Sequence, residues 1–128
     1  MSTAIRRPLA VLAVSVLLLA LAAGTALAVE RYCSGYGANC YGTRTSDTLY
    51  DGPGRDNIYA RGGADYIYAF WYYDDSDYVY GQGGRDYIDA YDYDTGRRYD
   101  RVDGGRGYDV CYGEYVDTFK GCEEVYQF

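Results

Sequence analysis

Histidine is absent from all 128 residues, and the chain holds a single tryptophan, a single methionine and only two prolines. Without histidine the commonest general base and the commonest transition-metal ligand are both missing. Beyond residue 28 the only serines are Ser34, Ser46 and Ser76, none of them beside a plausible base, so activated-nucleophile chemistry has no footing. Basic residues are scarce as well: 12 against 19 acids give a formal charge of −7. That balance excludes nucleic acid and anionic membrane surfaces as natural partners and suits cations. Ile, Leu and Val are few after residue 28, fewer than an ordinary globular core requires. Such a chain either stays partly disordered or is held together by something other than a core. No segment after residue 28 has a 3.6-residue apolar period, so no helix of consequence is expected there.

What is present divides at residue 28. Arg6 and Arg7 precede an apolar run from Leu9 to Ala23, and Ala26-Leu27-Ala28 has the small-x-small form of a cleavage site. This is the layout of a secretory signal peptide, with a run too short for a comfortable membrane span. Cleavage after Ala28 leaves 100 residues, one small domain, with no membrane span, and takes the formal charge to −9. All 19 tyrosines and 16 of the 17 glycines lie beyond this point. Four cysteines in an exported chain read as two disulfides.

The mature part is periodic. Asp-x-apolar, with tyrosine excluded as the apolar residue, recurs at Asp47, Asp56, Asp65, Asp77, Asp86, Asp100, Asp109 and Asp117, with spacings of 9, 9, 12, 9, 14, 9 and 8. Nine residues are too few for a helical repeat and suit one loop plus one very short strand. Side chains alternate along a strand, so Leu49, Ile58, Ile67, Val79, Ile88, Val102, Cys111 and Phe119 point inward. The flanking positions are rich in tyrosine (Tyr50, Tyr59, Tyr66, Tyr68, Tyr78, Tyr80, Tyr87 and Tyr112) and would stack into aromatic ladders on the sheet faces.

Glycine completes the unit. Gly104-Gly105-Arg106-Gly107-Tyr108-Asp109-Val110-Cys111-Tyr112 fits G-G-x-G-x-D-x-U-x, and the stretches 81–88 and 60–67 are close variants. On these residues the chain resembles the RTX, or haemolysin-type, calcium-binding repeats, over about Gly42 to Lys120. The resemblance implies an all-β fold, a parallel β-roll of about eight nonapeptide repeats. It implies Ca²⁺ as cofactor, held between loops of adjacent turns on one edge. Glycines let the loop backbone aim its carbonyls into a small space, and the Asp adds a hard anionic oxygen. The expected ligand set is Asp47, Asp56, Asp65, Asp86 and Asp109, with Gly62, Gly81, Gly83 and Gly104.

Two repeats make one turn of such a roll, so alternate loops share an edge. The odd loops end in Asp47, Asp65, Asp86 and Asp109, and the last three are glycine-rich. The even loops, "DGPGRD", "YYDDSD", "TGRRYD" and "YGEYVD", carry both insertions, and only the first keeps its glycines. One edge therefore reads as built for calcium and the other as degraded or repurposed, with Asp77, Asp100 and Asp117 capping turns or facing water. Asp92-x-Asp94-x-Gly96 fails as an EF-hand loop, having Arg97 in place of its invariant glycine. Asp74 and Asp75 beside Trp71 make an acidic, aromatic insertion that could touch a sugar or peptide.

Four cysteines allow three pairings. The local pairs are favoured, with Cys33–Cys40 at the entry to the roll and Cys111–Cys122 at its exit. The expected organisation is a signal peptide (1–28), a disulfide-bearing N-terminal cap (29–41), the repeats (42–120) and a C-terminal cap (121–128). A narrow roll offers no deep cleft for a carboxylate dyad, so no catalysis is expected. The sequence reads as a secreted, bacterial calcium-binding module. The alternative is an adhesion or carbohydrate-binding module that meets a cell-surface glycan or protein through its tyrosines.

Overall fold

A computed structural model describes residues 27–70, 76–92 and 98–128. The signal-peptide expectation falls almost wholly outside these residues, as do Trp71 to Asp75, Asp94, Gly96 and Arg97. Among the described residues there is no helix, and the chain winds through about five turns of a parallel solenoid.

Its strands, in order, are β1 (Glu30–Tyr32), β2 (Asn39–Tyr41), β3 (Thr48–Tyr50), β4 (Asn57–Tyr59), β5 (Tyr66–Tyr68), β6 (Tyr78–Tyr80), β7 (Gly83–Gly84), β8 (Tyr87–Asp89), β9 (Arg101–Asp103), β10 (Arg106–Gly107), β11 (Val110–Gly113), β12 (Thr118–Lys120) and β13 (Glu124–Gln127). One face is a six-stranded sheet, β1-β3-β5-β8-β11-β13, and the other a five-stranded sheet, β2-β4-β6-β9-β12. The pair β7 and β10 belongs to neither; it is loop backbone of successive turns laid side by side.

Register follows from the period. Leu49 pairs with Ile67, Ile67 with Ile88 and Ile88 with Cys111, one residue per turn. Opposite them run Cys40, Ile58, Val79, Val102 and Phe119. These two columns are the core, and all but Phe119 are buried. Ala60, Ala69 and Ala90, two residues beyond their strand's inward residue, are fully buried at the corners where only a small side chain fits.

The outward tyrosines stack as their positions require. Ring centroids lie 4.5 Å apart for Tyr32 and Tyr50, 5.2 Å for Tyr50 and Tyr68, and 5.2 and 5.0 Å along Tyr41, Tyr59 and Tyr80. Tyr32, Tyr41 and Tyr126 extend these ladders into segments expected to be caps. The roll in fact runs through them: β1 pairs with β3, β2 with β4 and β13 with β11. The Asp-x-apolar pattern misses these strands for specific reasons. In β1 the inward slot is Arg31, an exposed charge on an edge strand that discourages further pairing. Ala38 stands where Asp would precede β2, and Glu123 takes that place before β13. Disulfides join Cys33 to Cys40 and Cys111 to Cys122, the local pairs.

Candidate metal centre

The repeat aspartates line two edges of the roll, and every one of them is buried. Each Oδ1 accepts the backbone N–H of the equivalent residue one turn earlier. On the odd edge Val29 donates to Asp47, Asp47 to Asp65, Asp65 to Asp86 and Asp86 to Asp109, over 2.7–3.0 Å. Glu123 ends the column by accepting from Asp109 at 2.8 Å. On the even edge Ala38 donates to Asp56, Asp56 to Asp77, Asp77 to Asp100 and Asp100 to Asp117, over 2.6–2.8 Å. These carboxylates thus bind turn to turn, satisfying amides that the strands cannot reach. Asp77, Asp100 and Asp117 do cap backbone, as expected, but they do not face water: their exposures are 1, 1 and 7%.

The second oxygen separates the loops into two kinds. Asp47 Oδ2 accepts from Thr43 N–H at 2.5 Å and Asp56 Oδ2 from Gly52 N–H at 2.8 Å, each donor four residues upstream. At Asp65, Asp86 and Asp109 the residue four upstream is Arg61, Gln82 or Gly105, with φ of +81°, +72° and +97°. The turn then runs differently, and Oδ2 of all three aspartates is buried without a hydrogen-bond partner. A buried acceptor left unserved costs about 1–3 kcal/mol, so three in one column require an explanation.

Glycine packs tightly around these orphaned oxygens. A Cβ on Gly81 would overlap Asp86 Oδ2, and one on Gly104 would stand 2.7 Å from Asp109 Oδ2. Adjacent loops are equally close: a Cβ on Gly84 would overlap the Gly63 carbonyl oxygen, and one on Gly107 that of Gly84. Gly62 and Gly83, singled out in the sequence, form a parallel bridge, but a Cβ at either would meet nothing nearer than 3.7 Å. In these three loops the glycines with positive φ are Gly63, Gly84, Gly105 and Gly107 instead.

Burial among like charges disfavours ionisation here. Desolvation, reinforced by neighbouring aspartates, pushes the carboxyl of Asp65 up to about 7 and that of Asp86 to about 6. Asp109 and Asp56 are raised as well, chiefly by desolvation. On the even edge burial lifts Asp100 to about 10, and its Oδ2 is likewise an orphan. Among the described residues no three His, Cys, Asp or Glu side chains are grouped to hold a metal by themselves. The donors on the odd edge are mixed instead: a Cβ on Gly81 would meet both Asp86 Oδ2 and the Gly104 carbonyl oxygen, and one on Gly104 both Asp109 Oδ2 and the Gly121 carbonyl oxygen. Hard oxygens, anionic and neutral together, suit Ca²⁺, which takes six to eight of them. The orphaned oxygens and the cradle that a Cβ would fill make the residues fit that ion.

A profile of the RTX calcium-binding nonapeptide repeat matches residues 41–69 and 73–92, in four copies. The chain carries the RTX repeat. A search of curated proteins and a search of solved structures returned no match. The RTX roll itself continues past the matched residues. Asp109, in a loop with three glycines, lies outside them yet occupies the same column as Asp65 and Asp86.

Proposed function

We propose that this RTX roll is an exported module that folds on calcium, holding the ions along its odd edge between the loops of Asp65, Asp86 and Asp109. The supporting observation is the coincidence, at these three loops alone among those with a described fourth upstream residue, of positive φ there and an orphaned Oδ2. Asp47 and Asp56 are weaker ligands, because a backbone N–H already occupies the oxygen that a cation would use. Calcium would supply the charge that this column of buried carboxylates lacks, and its binding free energy becomes folding free energy. The two disulfides suit an oxidising, extracellular setting.

The role proposed is binding and not catalysis. A glycan-binding role for the tyrosines gains little from their geometry. Rings stacked 4.5–5.2 Å apart at 4–16° spend their faces on one another and turn edges and hydroxyls outward. Calcium titration of the signal-cleaved, oxidised protein, followed by circular dichroism, tests the main reading. A cooperative gain of β signal is expected, in the ~0.1–1 mM range of extracellular modules. An identical spectrum in chelator and in calcium would refute it.

A further inference from the structure

Inside a tyrosine ladder both faces of a ring are taken, but the last ring keeps one. On the five-stranded sheet the ladder runs Tyr41, Tyr59, Tyr80 and stops, because register places Asp103 after Tyr80 and Lys120 after Asp103. The neighbouring column meets a different successor. Arg101 follows Tyr78, lays its guanidinium 5.1 Å from the ring centroid and donates to the Tyr78 hydroxyl. A cation covers a ring face, whereas a carboxylate is repelled by the face's negative charge. Asp103 Oδ2 pairs instead with Lys120 Nζ at 3.2 Å, one strand further on. Among the described residues, Tyr59 is the one ring stacked on Tyr80.

A similar break on the six-stranded sheet is filled. There Asp89 stands between Tyr68 and Tyr112 in register, and Tyr87 leans across it, its centroid 6.3 Å from Tyr68 and 5.1 Å from Tyr112. Beside Tyr80 a hollow of about 220 Å³ remains, and its lining includes Tyr78, Tyr80, Arg101, Asp103, Thr118 and Lys120. A second hollow of about 100 Å³ shares Tyr80 and Asp103 with it and adds Gln82. The larger one falls below the roughly 300–1,000 Å³ of sites for drug-sized ligands, so it suits a single ring.

We infer that this ladder end is a binding site for a neutral hexopyranose unit of a glycan. A pyranose ring has an apolar C–H face, which stacks on the open face of Tyr80 where the next tyrosine would have stood. Its hydroxyls both donate and accept, so they serve the Asp103 carboxylate, the Lys120 ammonium and the Thr118 hydroxyl alike. Asp103 and Lys120 are 31% and 83% exposed, so the pair is within a ligand's reach. An aromatic side chain would fill the same space but strip water from an ion pair and return no hydrogen bond. An acidic sugar would set its carboxylate against Asp103. Lys120 is already balanced by Asp103, and Arg101 is committed to Tyr78, so the hollow favours a neutral ring. The site needs the folded roll but uses none of the carboxylates of the calcium loops.

The test titrates the oxidised mature protein, in saturating calcium, with gluco-, manno- and galacto-oligosaccharides and with polygalacturonate, by calorimetry. The parent is compared with Tyr80→Leu, Asp103→Ala and Tyr50→Leu, and circular dichroism checks that each is folded. At least one neutral series should bind the parent. Tyr80→Leu and Asp103→Ala should each weaken that binding roughly tenfold. Tyr50→Leu, which changes an interior ring of the opposite sheet, should bind like the parent. Should Tyr80→Leu fail to fold, the partly exposed Asp103 decides. A folded parent that binds no neutral series, or polygalacturonate alone, overturns the site and leaves the calcium reading intact, as does equal binding by the parent and Asp103→Ala. A parent that binds a neutral series with the same spectrum in calcium and in chelator refutes the calcium reading and upholds this one. A parent that neither folds nor binds overturns both.

Discussion

Replacing Asp86 by asparagine should move two properties in opposite directions. Asparagine keeps an oxygen to accept the Asp65 N–H, so the turn-to-turn bond at 3.0 Å survives. At the other position it puts an NH₂ where a buried, unserved Oδ2 stood, and it removes a charge. The carboxyl is pushed from 3.8 to about 6, chiefly by desolvation. At roughly 1.4 kcal/mol per unit that would be about 3 kcal/mol, and water reaching the loop edge screens part of it. The metal-free variant should therefore be more stable at pH 7.5, by about 1–2 kcal/mol after screening. Calcium affinity should fall, because a charged ligand worth about 1.5–3 kcal/mol is gone, corresponding to roughly a tenfold to hundredfold weaker Kd. The β signal gained in chelator on titration with a stabilising osmolyte measures the first quantity and isothermal titration with calcium the second. If the variant is less stable without metal and binds calcium like the parent, Asp86 is a structural cap and no more.

Three further outcomes follow from the same geometry. Gly84→Ala should abolish calcium-induced folding, since its Cβ would overlap the Gly63 carbonyl at φ +134°, whereas Gly83→Ala, with no neighbour inside 3.7 Å, should fold; circular dichroism in calcium separates them. Magnesium should fold the protein poorly at equal concentration, because it demands octahedral geometry at short distances and gives up water reluctantly; equal spectra in the two ions would indicate charge screening instead. Acid should stand in for metal. Carboxyl values raised to about 7 at Asp65 and about 6 at Asp86 mean that the folded, metal-free roll holds protons the unfolded chain has released. That stability is full below about pH 4 and is lost as pH rises through about 6–7, so lowering pH in chelator should increase β signal. Loss of β signal on the same titration would reverse the sign and refute the desolvation argument.

The sequence made the solenoid legible because the period and the face alternation are both local. An Asp followed two residues later by an apolar residue marks a loop end and an inward position at once, and both columns of the core obey it from Leu49 and Ile58 onward. The pattern failed where another residue kept the geometry. Glu123 reaches its neighbour's N–H as Asp does, so the segment of β13 lacks the Asp yet keeps the roll's geometry. Val29 and Ala38 hold the equivalent positions without a carboxylate, and each donates its N–H to the Asp one turn later. Glu123, with Val125 two residues on, keeps the pattern with the other acid.

The state of each second carboxylate oxygen was not legible, and for a physical reason. Thr43 and Arg61 occupy equivalent loop positions, yet Thr43 turns its N–H onto Asp47 Oδ2 while Arg61 adopts φ +81° and leaves Asp65 Oδ2 without a donor. Intrinsic preference would not assign positive φ to Arg61 or to Gln82, since neither is glycine, asparagine or aspartate. What holds them there is the stack. Gly62 bridges to Gly83, and Gly83 and Gly84 pair with Arg106 and Gly107, so each loop inherits its turn from the one beside it. The choice between a capped and an open carboxylate is therefore made by neighbouring turns collectively. For the same reason the glycines packed most tightly against the next turn, Gly84 and Gly107, are those beneath a neighbour's carbonyl.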